Sequence, residues 1–584
     1  MTTRITLDFP DANGRPSRRL FRAPQRIITT NAHADIPQLL ARIEEECAAG
    51  AIAIGFLSYE AGPAFDDAFV THPPRAVPLL WFALFEHEYV ATTADHEPPA
   101  VANWEIVPTR AEHAAAVARI REEIAAGSTY QVNYTGRMRM RRWGDGGGWG
   151  DDGILSWYES LRRAQGVGYH ACIETEDWCV LSLSPELFFE SDGLHIRTRP
   201  MKGTRGRGRF NEEDAQLIDE LRSSPKERAE NLMIVDLMRN DLGRVAETGS
   251  VQVTRLYDVE KYPTVLQLTS TIEAVLRPDT RLPDVMAALF PPGSVTGAPK
   301  ISTMKLIAEL ETSPRGIYCG AIGVVEREKC VFNVPIRTLW IDRQSGIAEY
   351  GTGGGITADS QAEAEYDELL TKALVISQPW PRFQLLETMR ADNGAIVRLD
   401  RHLLRLEDSA EFFGYPFCEE RIRQSLLDAL RTPPARARVR LLVSEDGGVR
   451  VEVAPLDALP ANPRVTLARP DTPADSKSRF LYHKTTNRAV YETVAAQAPD
   501  AFDVLMCNER DEITEFTRGN VVVELAGVRC TPPRECGLLA GVFRGELLER
   551  GAITERVVTR KEIAHATRIW FVNSVREWVE VELV

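Results

Sequence analysis

The chain has no closely spaced cysteine pair, no long apolar run and no excess of positive charge. Its nine cysteines include no Cys-x-x-Cys pair, which excludes the usual zinc pattern and fits a reducing compartment. No apolar stretch is long enough to span a bilayer, and residues 1–10 lack the apolar core of a secretory signal. The formal net charge of -15 argues against non-specific binding to nucleic acid or anionic membranes. We therefore expect a cytoplasmic protein with neither as a partner.

At 584 residues the chain is too long for one hydrophobic core, and its patterns change near residue 380. Helical patterns before that point cover residues 110–126, 211–243 and 361–377. Residues 377–382 hold two prolines and are typical of a linker, after which a hairpin turn is predicted at Asp392-Asn393-Gly394. We predict two domains, residues 1–378 and 379–584.

Five segments of the first part place polar side chains or glycines in unusual settings. They are YQVNYT from Tyr130, SPE from Ser184, RPMKGTR from Arg199, KERAEN from Lys226 and GTGGGI from Gly351. Glu365, Glu368 and Lys372 follow at a spacing that puts them on one helix face. This spacing is typical of a solvated, ion-paired face, but carboxylates from two helices also suit Mg²⁺. The glycine run suits either a turn or an anion site.

Together these segments resemble the chorismate-utilising enzymes, which include anthranilate synthase, aminodeoxychorismate synthase component I and the isochorismate and salicylate synthases. The resemblance covers about residues 50–376 and includes NLMIVDLMRNDLGRV and GTGGGITADSQAEAEYDELLTKA. It implies a multidomain α+β/α/β protein. Its first domain would be an anthranilate-synthase-like β-sandwich of antiparallel sheets with flanking helices and the site between the sheets.

The resemblance also implies roles for individual residues. Glu230 and Glu368 are the expected Mg²⁺ ligands, with Glu227 and Glu365 nearby, and the metal would bind the ring carboxylate of chorismate. Glu186 matches the general acid that protonates the departing C4 hydroxyl. The expected substrate-binding residues are Gln131, Thr204, Tyr318, Arg337, Gly353, Gly354, Gly355 and Lys372.

Lys202 separates the branches of this family. Anthranilate and isochorismate synthases carry Pro-x-Ala-Gly-Thr, whereas aminodeoxychorismate synthases carry the Pro-x-Lys-Gly-Thr that begins here at Pro200. The resemblance implies that the Lys202 amine attacks C2 before ammonia adds at C4, with its pKa lowered by Arg205 and Mg²⁺. Gln131 stands where water-adding members carry a lysine base, which favours ammonia as nucleophile. Leu266 stands where many members carry a histidine near the leaving pyruvate.

The second part carries a different set of motifs. Lys484 lies in SRFLYHKTTNRAVYE, Glu515 precedes a turn and a β-rich run, and GLLAGVFRGELLERG is a turn that leads into a helix. Free N–H groups at a helix N-terminus suit a phosphate. Over about residues 383–584 these segments resemble the fold-type IV pyridoxal-phosphate enzymes, which include D-amino-acid and branched-chain aminotransferases and aminodeoxychorismate lyases.

By this resemblance Lys484 forms the Schiff base with pyridoxal 5′-phosphate (PLP) and acts as the catalytic base, while Glu515 pairs with the protonated pyridine nitrogen. The expected phosphate ligands are Arg405, the backbone of Val542 and Phe543, and Ser574 in the Asn573-Ser574 turn. GLLAGVFR departs from the more usual GLLPGITR, so Phe543 can offer only its backbone.

The two resemblances imply consecutive reactions, in which chorismate is aminated at C4 and the product loses pyruvate to give 4-aminobenzoate. Because fold does not separate lyase from aminotransferase, a synthase fused to an aminotransferase stays open, as does an anthranilate synthase first half. Intact catalytic residues argue against an inactive scaffold. No Gly-x-Cys-x-Gly glutaminase motif is present, so ammonia is expected from solution or from a separate glutamine amidotransferase subunit. Fold-type IV enzymes are usually dimers, so a homodimer through the second domain is a further expectation.

Overall fold

The computed structural model describes residues 3–11, 14, 16–74, 77–89, 104–141, 151–373, 376 and 380–584. The chain forms two compact units, Met1–Gly206 with Ile218–Trp380 and Arg207–Leu217 with Pro381–Val584. The predicted boundary at 378/379 and half of the predicted linker lie outside the described residues. Residues 207–217 belong to the second unit, although the predicted first domain contains them. No helix within the described ranges is long and apolar enough to cross a membrane.

The first unit is built mainly from strands. Its strands are β1 (Arg4–Pro10), β2 (Pro16–Arg22), β3 (Arg26–Thr30), β4 (Ile52–Leu57), β5 (Leu80–Phe85), β6 (Glu105–Val107), β7 (Gln131–Arg141), β8 (Tyr169–Glu174), β9 (Trp178–Ser184), β10 (Leu187–Ser191), β11 (His195–Arg199), β12 (Met201–Gly206), β13 (Gln252–Lys261), β14 (Val265–Val275), β15 (Gly297–Ala298), β16 (Ala321–Val325), β17 (Cys330–Asn333), β18 (Thr338–Asp342) and β19 (Ile347–Ile356). Its helices are α1 (Ile36–Ala48), α2 (Arg110–Ala125), α3 (Asp151–Gln165), α4 (Asn211–Ser223, shared with the second unit), α5 (Pro225–Gly243), α6 (Leu282–Leu289), α7 (Lys300–Leu310) and α8 (Ala362–Ala373).

These strands form two antiparallel sheets. The nine-stranded sheet has the order β15-β7-β19-β18-β9-β8-β1-β2, with β6 paired to β7. The ten-stranded sheet has the order β12-β14-β11-β10-β17-β16-β4-β5-β3, with β13 paired to β14. One hydrophobic cluster joins side chains of both sheets, including Ile5 and Ile173 of the first and Phe56 and Ile322 of the second. The two sheets therefore share a buried core.

The helical stretch predicted over residues 211–243 is two helices, so the prediction of one was wrong. Pro225 has no N–H to continue α4, and its fixed φ suits the first turn of α5. The Ser224 side chain caps α5 by accepting a hydrogen bond from the Glu227 N–H. The break places Glu227 in the first turn of α5 and Glu230 one turn further on.

The second unit contains a small sheet and a larger mixed sheet. Its remaining elements are β20 (Leu385–Asp392), β21 (Ala395–Ile396), α9 (Leu399–Phe413), α10 (Glu419–Ala429), β22 (Arg436–Val443), β23 (Val449–Pro455), β24 (Arg464–Leu467), α11 (Ala489–Ala495), β25 (Asp503–Cys507), β26 (Ile513–Phe516), β27 (Asn520–Leu525), β28 (Val528–Thr531), α12 (Val542–Glu549), β29 (Thr554–Glu555), β30 (Arg568–Asn573) and β31 (Glu577–Leu583). The sheet orders are β21-β20-β22-β23 and β26-β25-β24-β31-β30-β27-β28-β29. The turn between β20 and β21 has positive φ at Asn393 (49°) and Gly394 (86°), as a two-residue hairpin requires.

Candidate active sites

A cavity of about 170 Å³ lies in the first unit. It is bounded by β12, α5, the glycine run of β19 and α8. The predicted residues that line it are Glu186, Lys202, Thr204, Glu227, Glu230, Tyr318, Arg337, Gly353, Gly354, Gly355, Glu365, Glu368 and Lys372. The fold thus brings these residues together at one cavity, although the first, Glu186, and the last, Lys372, lie 186 positions apart in the chain.

Lys202 lies in a part of β12 that side-chain hydrogen bonds hold in place. The Thr204 hydroxyl donates to the Gln267 amide oxygen at 2.8 Å, and the Gln267 amide donates to the Gly203 carbonyl at 2.8 Å. Thr204, predicted to bind substrate, therefore already supports the Lys202 segment. Burial lowers the pKa of Lys202, while the charge of Glu230 acts in the opposite direction. The lowered pKa makes more of the nucleophilic free amine available.

Glu186 lies between β9 and β10 and is only 3% exposed. Burial raises its pKa to about 7, against smaller opposing effects of a hydrogen bond with Ser294 and the charge of Lys202. Its backbone N–H donates to the Ser184 hydroxyl oxygen at 3.1 Å, which fixes the segment that carries it. A carboxyl group with this pKa is partly protonated at neutral pH and can serve as a general acid.

Four carboxylates line the cavity, Glu227 and Glu230 from α5 and Glu365 and Glu368 from α8. A Cβ added to Gly354 would lie 3.4 Å from Glu365 Oε2 and 3.7 Å from Glu368 Oε1, so both side chains converge on the glycine run. Burial raises the pKa of Glu227, Glu230 and Glu365. At these three groups burial outweighs the positive charge of neighbouring lysines, and carboxylate oxygens are the ligand type that Mg²⁺ prefers.

Lysines partly offset this acidic charge. Lys372 Nζ lies 2.7 Å from a Glu368 oxygen and donates to the Gly353 carbonyl at 3.0 Å, and Lys226 lies 3.9 Å from Glu230. Within the described ranges no three Asp, Glu, His or Cys side chains are grouped closely enough to form a ready metal cluster. The carboxylates match Mg²⁺ in ligand type but are not gathered into a preformed site, and a metal would compete with Lys372 for Glu368.

Arg337 presents its guanidinium to the cavity from a backbone with φ 51°. It donates to the Gln165 side-chain oxygen, and in the part of the chain that the structure describes no carboxylate pairs with it. Burial lowers its pKa. A guanidinium without an acidic partner in a cavity suits an anionic ligand, because it can donate two parallel hydrogen bonds to a carboxylate.

Glycines allow two other predicted residues to approach β19. A Cβ on Gly351 would lie 2.3 Å from the Tyr318 ring, and a Cβ on Gly355 would lie 2.0 Å from Gln131 Nε2 and 3.1 Å from Lys202 Nζ. Gln131 therefore packs against Gly355 on the side that also faces Lys202 Nζ, although it is not among the residues that line the cavity. It is 1% exposed, and its two side-chain polar atoms have no hydrogen-bond partner among the described residues. The predicted direct contact of Gln131 with substrate thus has no support from the cavity lining.

Several lining residues were missed by the sequence interpretation: Asn133, Lys226, Gln267, Ser294 and Tyr350. Ser294 lies in PPGSVTGAPK (residues 291–300), which also resembles the chorismate-utilising enzymes, so a signal was present. Gln267 is adjacent to Leu266, the departure from the usual histidine. Leu266 is fully buried while Gln267 faces the cavity, because neighbouring side chains of a strand point to opposite faces.

A second cavity, of about 610 Å³, lies in the second unit. Of the predicted residues it is lined by Arg405, Lys484, Glu515, Val542 and Ser574. Phe543 does not line it, because its side chain packs in a hydrophobic cluster with Val522 and Leu547. This placement leaves only the Phe543 backbone for a ligand.

Lys484 is tied to the small sheet through its backbone. Its carbonyl accepts a hydrogen bond from the Leu386 N–H at 2.9 Å, and Thr485 forms a β-bridge with Leu385. Burial and, after it, the charge of Arg405 lower the pKa of Lys484 to about 8. A lysine with this pKa can both form an imine and take up a proton near neutral pH.

Glu515 lies on β26 with each side-chain oxygen engaged. Oε1 accepts from the Tyr491 hydroxyl at 2.8 Å and from the Leu539 N–H at 3.1 Å, and Oε2 accepts from the Asn520 amide at 3.2 Å. Burial raises its pKa to about 7. A buried carboxyl group held in this way fits the role of partner to a ring nitrogen that carries a proton.

Arg405 on α9 is held by Glu387. Its Nε and Nη2 donate to the two Glu387 oxygens at 2.8 and 2.7 Å, and its Nη1 donates to the Ala540 carbonyl at 3.2 Å. His402 Nδ1 also contacts Glu387, at 2.6 Å. Despite burial, the positive charges of Arg405 and His402 lower the pKa of Glu387 to about 2. Arg405 therefore stands fixed beside the Gly541 turn that begins α12.

The second cavity fits PLP by its donor set: a lysine, a buried acid, an arginine and a helix N-terminus at Val542. Residues that the sequence interpretation missed also line it, namely Thr388, His402, Arg438, Arg440, Arg488, Tyr491, Asn520 and Arg576. A signal for two of them was present in RARVRLLV of β22, where arginines alternate with apolar residues and must share one face.

Comparison with known proteins places both halves in families. The chain matches the chorismate binding enzyme family over residues 91–378 and the amino-transferase class IV family over residues 384–584. It is 38% identical over 318 residues to aminodeoxychorismate synthase component 1 of Salmonella typhimurium, covering 53% of this chain and 67% of that one. The same protein of Klebsiella aerogenes is 37% identical over 352 residues, 55% of this chain and 75% of the relative.

Anthranilate synthase component I from Streptococcus pneumoniae has a similar structure, with a TM-score of 0.51 and 26% identity over 64% of this chain and 90% of that one. The resemblances drawn from the two sets of motifs are thereby confirmed, as is a chorismate-binding fold followed by an aminotransferase-like domain that implies PLP. The chain belongs to the chorismate binding enzyme family, as a relative of aminodeoxychorismate synthase component 1, and it continues into an aminotransferase class IV domain.

Proposed function

We propose that the first unit aminates chorismate at C4 with ammonia and that the second unit eliminates pyruvate from the resulting 4-amino-4-deoxychorismate to give 4-aminobenzoate. The observation that carries this proposal is the presence of Lys202, Glu186 and four carboxylates in one cavity. Relatives named aminodeoxychorismate synthase component 1 support it. In this proposal the two sheets of the first unit correspond to the family's β-sandwich.

In the first reaction the Lys202 amine forms a bond to C2 of chorismate as the bond between C4 and its hydroxyl oxygen breaks. Glu186 donates the proton with which the hydroxyl leaves as water, a role that its raised pKa supports. Ammonia then forms a bond to C4, the bond from C2 to Lys202 breaks, and the Glu186 carboxylate takes up the proton that ammonia loses. The two displacements place nitrogen at C4 and restore both side chains.

The remaining cavity residues bind and orient the substrate. Glu230 and Glu368, with Glu227 and Glu365 beside them, would hold Mg²⁺, which would supply positive charge to the ring carboxylate. Arg337 binds the other carboxylate of chorismate, because in the described part of the chain its guanidinium has no acidic partner.

In the second reaction PLP supplies an electron sink when bound through Lys484. The Lys484 amine would remove the proton from the ring carbon that bears nitrogen, and the bond between the ring and the enolpyruvyl oxygen would break. The protonated Lys484 would pass its proton to the departing group, which leaves as pyruvate while the ring becomes aromatic. Glu515 would hold the cofactor's ring nitrogen, and Arg405, Ser574 and the first N–H groups of α12 would hold its phosphate. Arg438, Arg440 and Arg576 suit a substrate with two carboxylates.

Ammonia requires a source. Because relatives are named component 1, we propose that a separate glutamine amidotransferase subunit supplies the ammonia. We propose further that the protein acts in the cytoplasm and that its second unit forms a homodimer. The purified chain should then use ammonium salts but not glutamine. Turnover of glutamine by the pure chain would contradict this part of the proposal.

The deciding experiment combines the purified chain with chorismate, Mg²⁺, ammonium and PLP and identifies the products. We expect 4-aminobenzoate and pyruvate. Aminodeoxychorismate without an aromatic product, together with amino transfer to 2-oxoglutarate, would show that the second unit is an aminotransferase. Anthranilate would show that the role of Lys202 is wrong.

Two variants serve as matched controls for this experiment. Lys484→Ala should accumulate aminodeoxychorismate, and Lys202→Ala should consume no chorismate yet still convert added aminodeoxychorismate to 4-aminobenzoate. A mixture of the two variants should restore 4-aminobenzoate, because the intermediate can pass through solution. Wild-type amination rates in Lys202→Ala would overturn the covalent role of Lys202.

A further inference from the structure

The segment Arg207–Leu217 belongs to the second unit although it lies inside the first half of the sequence. It follows β12, which carries Lys202, and it includes the beginning of α4. The chain thus leaves the first unit after Gly206, contributes these residues to the second unit and returns at Ile218. The second unit is therefore incomplete without a part of the synthase half.

Buried polar contacts fix the beginning of this segment. Arg207 pairs with Asp214 at 2.6 Å, with side-chain exposures of 2% and 0%. Arg207 also donates to the Phe412 carbonyl at 2.9 Å, and its guanidinium lies 4.4 Å from the Phe412 ring centre. The Gly208 N–H donates to the other Asp214 oxygen at 2.7 Å. A buried, fully paired arrangement of this kind holds one conformation, because opening it would leave a charge unpaired.

Phe210 connects the segment to the hydrophobic core of the second unit. It is 6% exposed and belongs to a cluster that includes Tyr482 and Tyr491. Its ring centre lies 5.4 Å from that of Tyr482, whose hydroxyl accepts a hydrogen bond from Arg209 at 2.7 Å. Tyr491 is the residue that donates to Glu515, so Phe210 shares a hydrophobic cluster with one side of the proposed PLP site.

His483 connects the segment to the other side of that site, because it directly precedes Lys484. Its Nε2 lies 3.2 Å from the Arg209 carbonyl oxygen, and its Nδ1 lies 3.0 Å from the Ser409 hydroxyl. A carbonyl can only accept, so Nε2 carries the proton and Nδ1 accepts from Ser409. The ring also stacks on Phe412 at 4.3 Å. Burial lowers the pKa of His483 to about 3, which keeps this neutral tautomer at physiological pH.

We propose that residues 207–217 are a positioning element of the PLP site, in which the Arg209 carbonyl orients His483 and thereby Lys484, and Phe210 supports Tyr491 and thereby Glu515. This inference rests on the proposed role of Lys484 as the residue that binds PLP. It makes part of the synthase half a structural requirement of the lyase reaction. Phe210 and His483 act through their neighbours and need not touch the cofactor or the substrate.

The test uses the full chain with Phe210→Ala and His483→Leu. His483→Gln keeps a donor for the Arg209 carbonyl, and Gln216→Ala changes an exposed residue of the same segment. Measurements are the PLP dissociation constant, the pH dependence of the bound cofactor's absorbance and the rate of chorismate amination. We expect Phe210→Ala and His483→Leu to raise the PLP dissociation constant by about tenfold. These two variants should also shift the pH midpoint of the cofactor's absorbance, while their rate of chorismate amination stays near that of the wild type. His483→Gln and Gln216→Ala should keep a PLP dissociation constant and a pH midpoint near those of the wild type.

The controls separate this inference from the proposed function. If wild-type protein reduced with borohydride in the presence of PLP carries no label on Lys484, the proposed function of the second unit fails. If the wild type is labelled and Phe210→Ala and His483→Leu bind PLP with unchanged affinity and pH midpoint, the positioning role is wrong. If Phe210→Ala abolishes the thermal unfolding transition of the second unit, the test passes to Ser409→Ala, which removes only the hydroxyl that contacts His483. The PLP dissociation constant and the pH midpoint of Ser409→Ala then decide.

Discussion

Arg337 gives the sharpest test of the first site, because its removal should affect stability and binding in opposite directions. In the described part of the chain the guanidinium has a hydrogen bond to Gln165 but no acidic partner, and burial lowers its pKa. A cation in such a setting costs free energy in the unliganded protein. The perturbation is Arg337→Met, which keeps the volume and removes the charge.

The expected magnitudes follow from the loss of one buried charge. Without ligand, Arg337→Met should leave the free energy of unfolding unchanged or raise it by about 1 kcal/mol, because a buried charge is replaced by an apolar group. Loss of a guanidinium–carboxylate pair costs about 2–5 kcal/mol of binding free energy. At about 1.4 kcal/mol per factor of ten, the chorismate dissociation constant should rise at least roughly 30-fold.

Arg137 supplies the matched control. It is also buried, with 5% side-chain exposure, but it lies 3.5 Å from Glu349 and 3.9 Å from Glu311. Arg137→Met should therefore destabilise the chain by about 1.5–3 kcal/mol, because it removes a buried cation's hydrogen bonds and ion pairs, while Glu311 keeps Arg315 and Glu349 keeps Arg139. The assays are denaturant unfolding without ligand and calorimetric titration with chorismate and Mg²⁺. If Arg337→Met destabilises as much as Arg137→Met, or if it binds chorismate normally, the argument for an unpaired anion-binding cation is refuted.

Three further predictions concern single side chains. Glu186→Gln should bind chorismate normally but lower the amination rate by about 10²–10⁴-fold, as measured at saturating substrate; a rate near wild type would exclude it as the general acid. Tyr491→Phe removes a hydrogen bond to Glu515, and a PLP titration should show an affinity lower by about 1 kcal/mol. The pKa of Glu387 is lowered to about 2, so its stabilising effect is complete above its unfolded pKa of about 4.3 and is lost as pH falls from there towards 2. Glu387→Gln should flatten that acid limb of the unfolding curve, and a limb of unchanged slope would contradict the assignment.

Much of the first site was predictable, because local geometry and motifs determine it. Glu365, Glu368 and Lys372 share a face by helix periodicity alone, and α8 has the expected position within residues 361–377. Lys202 could be singled out by its motif, but its lowered pKa could not. That shift results from burial and is opposed by the charge of Glu230, whose approach requires α5 to pack beside β12. Tertiary packing of this kind leaves no trace in sequence spacing.

The segment 207–217 shows a second kind of limit. Its residues carry an ordinary helix start, and nothing in their order indicates that Phe210 packs with residues near 482–506. The division of residues 211–243 into two helices is a different case, because Pro225 is a local signal that is visible in the sequence. Local signals can be read in advance, whereas the unit to which a segment packs depends on contacts hundreds of residues away.

The two candidate catalytic lysines, Lys202 and Lys484, illustrate why residue identity does not determine chemistry. Burial is the largest cause of the lowered pKa of both. For Lys202 the next cause is Glu230, which opposes the shift, whereas for Lys484 it is Arg405, which reinforces it. A cation held by Glu230 and Glu368 would cancel the negative charge that opposes the shift at Lys202. Lys484, in contrast, already has the positive charge of Arg405 beside it. Under the proposed function, the nucleophilicity of Lys202 would therefore depend on metal occupancy, whereas the lowered pKa of Lys484 is set by the fold.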